Sequence, residues 1–225
     1  MFFSRMNEVR KMWKKPSEWY AVGHNYWEKQ EASDDGVLGG FGRLGSTDVL
    51  GSLKFLEIAE KKFPGPRQVA VDCGAGVGRV SRDFLIKKFP VIDLVEPSGH
   101  LLEKAKVSVP SARSFIQLPL QHFNPKENEY DMIWIQWVLL YLTDNDLVEF
   151  FRRCKSALRP NGLICFKENT SSSGECVIDT DDCSLTRTPA QYRALAAAAG
   201  LKIEVEMKQS PWPSDLFPVM MFACK

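Results

Sequence analysis

Residues 68–80 read QVAVDCGAGVGRV: a short apolar run, then glycines at 74, 76 and 78, with Asp72 before them and Arg79 after. A strand that ends in alternating glycines opens a strand–loop–helix unit. Glycine permits positive φ there and lets a ligand approach bare backbone. The rest of the chain repeats the unit. VIDLVE (91–96), SFIQL (114–118), YDMIWIQWVLLYL (130–142) and LICFKEN (163–169) read as strands, separated by helical segments at 78–89, 98–109 and 143–158. YDMIWIQWVLLYL is nearly continuous in apolar residues, as a strand covered on both faces requires. Such alternation predicts an α/β fold, a mainly parallel sheet with helices on both faces. LKIEVEMK (201–208) and VMMFACK (219–225) are joined by a proline-rich loop instead of a helix, which predicts an antiparallel edge.

Helix ends carry chemical signatures. Thr143 stands as a cap with Asp146 three residues on, and Thr188-Pro189 opens a helix that stops at Gly200. Ser46 or Thr47 is the expected cap of a helix over 46–63 that places Val49, Leu53, Leu56 and Ala59 on its apolar face. Ahead of it, DDGVLGGFGRLGS (34–46) holds five glycines and reads as a mobile loop that orders as a lid on binding. Residues 1–30 read as one or two helices broken at Pro16 and carrying Trp13, Trp19, Tyr20, Tyr26 and Trp27. Their basic, partly amphipathic start reads as a helix packed on the domain, since Glu8 and scarce serine argue against a presequence. The chain divides into a helical extension with the lid (1–45) and one α/β domain (46–225).

A formal net charge of +1 provides no global attraction to nucleic acid or to membranes. No run reaches the ~20 apolar residues of a membrane helix. His24, His100 and His122 lack metal-ligand spacing, and the six scattered cysteines, without a C-x-x-C pair, read as reduced thiols of an intracellular protein.

The glycine loop has two possible ligands. A dinucleotide fingerprint, G-x-G-x-x-G, needs glycine at position 79, where this chain has arginine. The actual pattern, D-x-G-x-G-x-G over residues 72–78, resembles the class I methyltransferases, which bind S-adenosylmethionine. That resemblance implies a Rossmann-like, seven-stranded, mainly parallel sheet. Arg79 suits the carboxylate of the cofactor's amino-acid tail. Glu96, 18 residues after Gly78, suits a ribose diol, because a carboxylate accepts two hydrogen bonds.

The segments YWEKQEASDDGVLGGFG, DCGAGVGR and WIQWVLLYL together resemble a narrower group, the protein N-terminal methyltransferases, which methylate the α-amine of proteins beginning X-Pro-Lys. The similarity spans residues 25–225. It implies cofactor contacts at Gly74, Arg79, Glu96, Leu120, Gln121 and Gln136, and a substrate channel lined by Trp27 and Trp137. It places Asn169 near the substrate amine, Asp182 as catalytic base and Asp179 as partner of the substrate lysine; a one-residue shift lets Asp181 replace either acid. It implies no metal, no nucleic-acid or membrane partner, a monomer, and residence in cytoplasm and nucleus.

Two positions depart from that group's pattern. Tyr141 stands where the group has a histidine thought to act on the amine, and Phe217 where it favours tyrosine. A phenol with a pKa of about 10 is a poor base at neutral pH. Tyr141 therefore leaves three readings open: Asp182 suffices as base; the enzyme methylates a small molecule at nitrogen or oxygen; or the chain is a weakly active, peptide-binding relative.

Overall fold

The computed structural model describes residues 3–225, apart from the side chains of 3–5, 7 and 8. The first two residues of the expected N-terminal extension lie outside that range. Seven strands form one sheet: β1 (Val69–Cys73), β2 (Val91–Val95), β3 (Ser114–Ile116), β4 (Tyr130–Gln136), β5 (Leu158–Asn169), β8 (Ile203–Lys208) and β9 (Val219–Cys224). Their order is β3-β2-β1-β4-β5-β9-β8. All neighbours are parallel except β9, which runs antiparallel to both β5 and β8. This is the sheet of a class I methyltransferase. Two further strands, β6 (Val177–Asp179) and β7 (Ser184–Thr186), form a separate hairpin.

Side-chain alternation divides the core into two layers. Val69, Val71, Ile133, Ile135 and Phe166 meet Phe150 and Phe151 of α7 (Asp144–Ala157) and Tyr192 of α8 (Pro189–Ala198). On the opposite face, Ala70, Met132, Trp134 and Cys165 meet Phe55 and Leu56 of α4 (Gly45–Lys62), Phe84 beyond α5 (Arg79–Asp83), and Leu102 of α6 (Gly99–Ser108). Thr143 caps α7 by accepting from the Asp146 N–H, and Thr188 with Gln191 completes a capping box on α8. Because β1, β2, β4 and β5 are parallel, residues 74, 96 and 137, which follow the first three, and Asn169, the last residue of β5, gather along one edge of the sheet, where open α/β sheets bind ligands.

Four local expectations are revised. The expected caps Ser46 and Thr47 lie inside α4, whose N-cap is Leu44 without a side-chain bond. The buried face of α4 includes Asp48, Gly51 and Ser52 beside Phe55, Leu56 and Ala59, so it is rotated from the apolar stripe, and Val49 and Leu53 are only partly buried. The helix expected over 78–89 ends at Asp83 and continues as a 3-10 turn, Leu85–Lys87. The glycine-rich segment is not irregular. It forms α3 (Asp34–Val37), capped by Ser33, then a 3-10 turn, Gly42–Leu44, whose Gly42 N–H donates to Asp35 Oδ1 at 2.8 Å. Polar side chains flanking the glycines supply bonds that the glycines alone do not.

The N-terminal residues pack on the domain. In α1 (Phe3–Met12), Val9 is fully buried with Cys176 and Leu185 of the hairpin region. In α2 (Pro16–Trp27), Pro16 occupies the first turn, the Trp19 indole donates to the Tyr141 carbonyl at 2.6 Å, and the Tyr20 hydroxyl binds Asp146.

Candidate active site

Two cavities lie side by side at the strand ends. The first, about 530 Å³, is bordered by Gly74, Gly76, Arg79, Glu96, Leu120, Gln121 and Gln136 together with α2. The second, about 410 Å³, is bordered by Asn169, Asp179, Asp182, Trp212 and Phe217, with Val37, Leu38, Phe41 and Leu44 from the glycine-rich segment. Trp27, Val37, Trp137 and Tyr141 border both. Apart from the alternative acid Asp181, every residue singled out in the sequence for cofactor, substrate or catalysis thus stands on one of the two cavities, and three stand at their junction.

The loop after β1 is bare for two reasons. Gly74 has φ +77°, and a Cβ there would lie 2.7 Å from Val138 Cβ. The glycine makes room for protein as well as for a ligand. Asp72, at the strand end, does not reach the cavity; it is buried and accepts from the Ser81 hydroxyl at 2.8 Å, and burial pushes its pKa up to about 6. Glu96 borders the cavity and accepts from the backbone N–H of Gly76 and of Ser98, each at 2.9 Å. Burial raises its pKa to about 7 despite those bonds.

Trp137 follows β4 with φ +54°, a conformation that costs a bulky residue of order 1–3 kcal/mol and is typical of functional sites. The turn sets the indole on the wall between the cavities, tilted against Trp212 with ring centroids 6.2 Å apart. Its Nε1 is buried without a partner. The backbone beyond it is pinned by Glu168, whose Oε1 accepts from the N–H of Val138 and Leu139 at 2.9 and 2.8 Å. Arg187 is fully buried and donates to the carbonyls of Leu139 and Leu142.

On the groove side, the Tyr141 hydroxyl donates to Asp182 Oδ2 at 3.0 Å, and Asp182 Oδ1 is buried with no partner. Burial raises the Asp182 pKa; the neighbouring Ser184 and Tyr141 restrain the rise, and the Asp179 charge adds to it. Burial, then the Asp182 charge, hold the Tyr141 phenol well above its ordinary pKa, so it remains protonated at neutral pH. The Trp27 ring meets Tyr141 edge-on at 6.1 Å. The acidic stretch is the β6–β7 hairpin, not a plain loop. Its register pairs Asp179 with Ser184, and the Asp181 N–H donates to Asp179 Oδ1 at 2.9 Å. Asp179 and Asp182 border the groove, while Asp181 is exposed and does not.

Sequence reasoning missed Asp48, Lys167, Glu168, Trp212 and the α2 residues Trp19 and Tyr20. Asp48 and Ser52 sit i, i+4 on the buried face of α4, whose other members are Gly51, Phe55, Leu56 and Ala59, so the helix pattern alone did not mark them. Among the described residues no cluster of His, Cys, Asp and Glu is placed to hold a metal ion, and no helix is long and apolar enough to cross a membrane.

Comparison with known proteins agrees with this geometry. A family model described as AdoMet dependent proline di-methyltransferase matches residues 15–225. The alpha N-terminal protein methyltransferase 1 of Drosophila melanogaster is 43% identical over 216 residues, which cover 93% of this chain and 77% of that protein. The N-terminal Xaa-Pro-Lys N-methyltransferase 1-B of Xenopus laevis is 36% identical, with 93% and 96% covered. A SAM-dependent methyltransferase from Leishmania major superposes with a TM-score of 0.90 at 38% identity, covering 96% of this chain and 91% of its own.

Proposed function

This chain belongs to the AdoMet dependent proline di-methyltransferase family, S-adenosylmethionine-dependent enzymes, and from that premise we propose that it methylates the α-amine of proteins beginning X-Pro-Lys. The observation that carries the reading is the junction: a cavity suited to the cofactor and an acidic groove share the walls Trp27, Trp137 and Tyr141.

The first cavity fits the cofactor. It offers bare backbone at Gly74, a guanidinium at Arg79 for a carboxylate and a carboxylate at Glu96 for a ribose diol, with Leu120, Gln121 and Gln136 completing the wall. When bound, S-adenosylmethionine supplies a methyl group on a positively charged sulfur.

The protein's part is to present a neutral amine in line with that methyl. An α-amino group has a pKa of about 7.7–8.0, so much of it arrives protonated at neutral pH. Asp182 is the base: its free Oδ1 takes the proton while Tyr141 holds Oδ2. Asn169 orients the amine without adding charge. Trp27, Trp137 and Tyr141 set aromatic surfaces beside the cation that forms. Asp179, exposed at the groove, meets the substrate lysine. Both cavities are completed by one chain, which supports a monomer. The six free cysteines support the intracellular reading, and the family resemblance alone suggests cytoplasm and nucleus.

The test is incubation with methyl-labelled S-adenosylmethionine and X-Pro-Lys peptides, with mass detection at the amino terminus. Label on the α-amine, and none on an N-acetylated peptide, is expected. Label on the lysine side chain, or faster transfer to small metabolites than to any peptide, defeats the reading.

A further inference from the structure

Behind the Arg79 wall of the cofactor cavity lies a group of charges to which the reaction above gives no role. Asp48 from α4, Lys167 from β5 and Arg79 from α5 are 1%, 0% and 4% exposed. Asp48 Oδ2 lies 2.8 Å from Arg79 Nη1, and Oδ1 contacts Lys167 Nζ. Gln136 Nε2 donates to both Asp48 oxygens at 2.9 and 3.0 Å. Lys167 Nζ also donates to the Asp48 carbonyl, to Ser52 Oγ and to Gln209 Oε1 at 3.0, 3.1 and 2.9 Å. Room for that glutamine is built into α4: a Cβ on Gly51 would stand 1.9 Å from Gln209 Oε1.

We infer that Asp48 and Lys167 are positioning residues for Arg79, the guanidinium assigned above to the carboxylate of the cofactor's amino-acid tail. The inference rests on the cofactor reading above and deepens it. Asp48 stands between the two cationic side chains, and its contacts with both hold the three in one fixed arrangement. Arg79 and Gln136 border the cavity; Asp48 and Lys167 stand behind them. Arg79 Nη1 is buried against Asp48 Oδ2, so this face of the guanidinium is turned to Asp48 while the residue borders the cavity. The Trp137 ring lies 5.8 Å from the Arg79 guanidinium and 5.9 Å from Lys167 Nζ, which covers both cations with an aromatic surface. Lys167 fixes Asp48, and Asp48 fixes the guanidinium.

The experiment compares two ligands by calorimetry: S-adenosylhomocysteine, which carries the tail, and 5′-methylthioadenosine, which lacks it. Asp48→Asn should weaken S-adenosylhomocysteine by at least about tenfold and leave 5′-methylthioadenosine within about twofold of wild type. Equal weakening of both ligands assigns Asp48 to folding alone and overturns the inference, as does no weakening of either. Should Asp48→Asn not fold, Ser52→Ala removes one acceptor from Lys167 and should give a smaller loss confined to S-adenosylhomocysteine; equal losses again overturn it. No peptide enters the measurement. Normal binding without peptide methylation would defeat the substrate reading and leave this one standing, whereas a wild type that binds no S-adenosylhomocysteine defeats both.

Discussion

The Tyr141 hydroxyl donates to Asp182 Oδ2 at 3.0 Å, across the line where the cofactor cavity meets the acidic groove. The bond fixes one carboxylate oxygen and leaves the other without a partner. With Asp182 as the proposed base, a phenol that stays protonated would orient it and not compete with it.

Asp182→Asn therefore keeps the shape of the site and removes the proton acceptor. Turnover should fall by roughly 10²–10⁴-fold, with S-adenosylmethionine affinity retained. Turnover by single-turnover kinetics and affinity by calorimetry separate the two effects. A matching loss of cofactor affinity would place Asp182 in the scaffold.

Tyr141→Phe removes only the hydroxyl, and turnover should drop by about tenfold, the size of one hydrogen bond to a charged group. In the wild type, kcat/KM should rise with pH as Asp182 and the substrate amine lose protons, with no further ionisation from Tyr141 near neutrality. Tyr141→His introduces a group that titrates near pH ~6.5 and should add a second ionisation to the profile. An unchanged profile in the histidine variant would show that position 141 does not touch the reacting groups.

Much of this was legible in local sequence because the relevant patterns are local. Asp72 to Gly78 specify a strand, a turn and a helix within a dozen residues, and Glu96 follows from the end of the next strand. What was not legible depends on register between distant segments. Asp48 reads as one more helix residue until β4 and β5 place Gln136 and Lys167 beside it. Asp179, Asp181 and Asp182 are interchangeable in a loop. The hairpin register, Asp179 opposite Ser184, decides which of them border the groove. The glycine-rich segment looked unstructured because glycine count hides the Ser33 and Asp35 bonds that order it.

Gly74 combines positive φ with contact to Val138, so Gly74→Ala meets two separate obstacles. S-adenosylmethionine affinity and melting temperature should both fall. Adding Val138→Ala removes the two γ-carbon contacts but keeps the 2.7 Å contact with Cβ, so it should recover only a fraction of the melting temperature, and the φ penalty stays. A Gly74→Ala protein with wild-type affinity would remove this loop from the cofactor site.

Glu168 sets the pH dependence of stability. Burial lifts its pKa from about 4.5 to about 8, against the bonds from Leu139 and Val138. The folded state then holds a proton that the unfolded chain has already released. Its contribution is complete below pH ~4.5 and is lost as pH rises through ~8. Glu96 and Asp72, lifted to about 7 and about 6, act in the same direction. Melting temperature should decline from pH ~5 to ~8, and Glu168→Gln, neutral throughout, should flatten that decline. An unaltered slope in the variant would assign the proton uptake to other groups.

Asp179 tests the specificity assigned to the groove. It is exposed on the hairpin, so its attraction to a substrate lysine acts through water and is worth at most about 1 kcal/mol. Asp179→Asn should raise KM for an X-Pro-Lys peptide by about fivefold and leave kcat nearly unchanged, because the charge lies away from the reacting nitrogen. The same substitution should leave an X-Pro-Gln peptide unaffected. Salt should reproduce the loss in the wild type: at 1 M, where the screening length is about 3 Å, the preference for lysine should shrink toward that of the variant. Equal KM effects on the lysine and glutamine peptides would show that Asp179 shapes the hairpin and does not read the third residue.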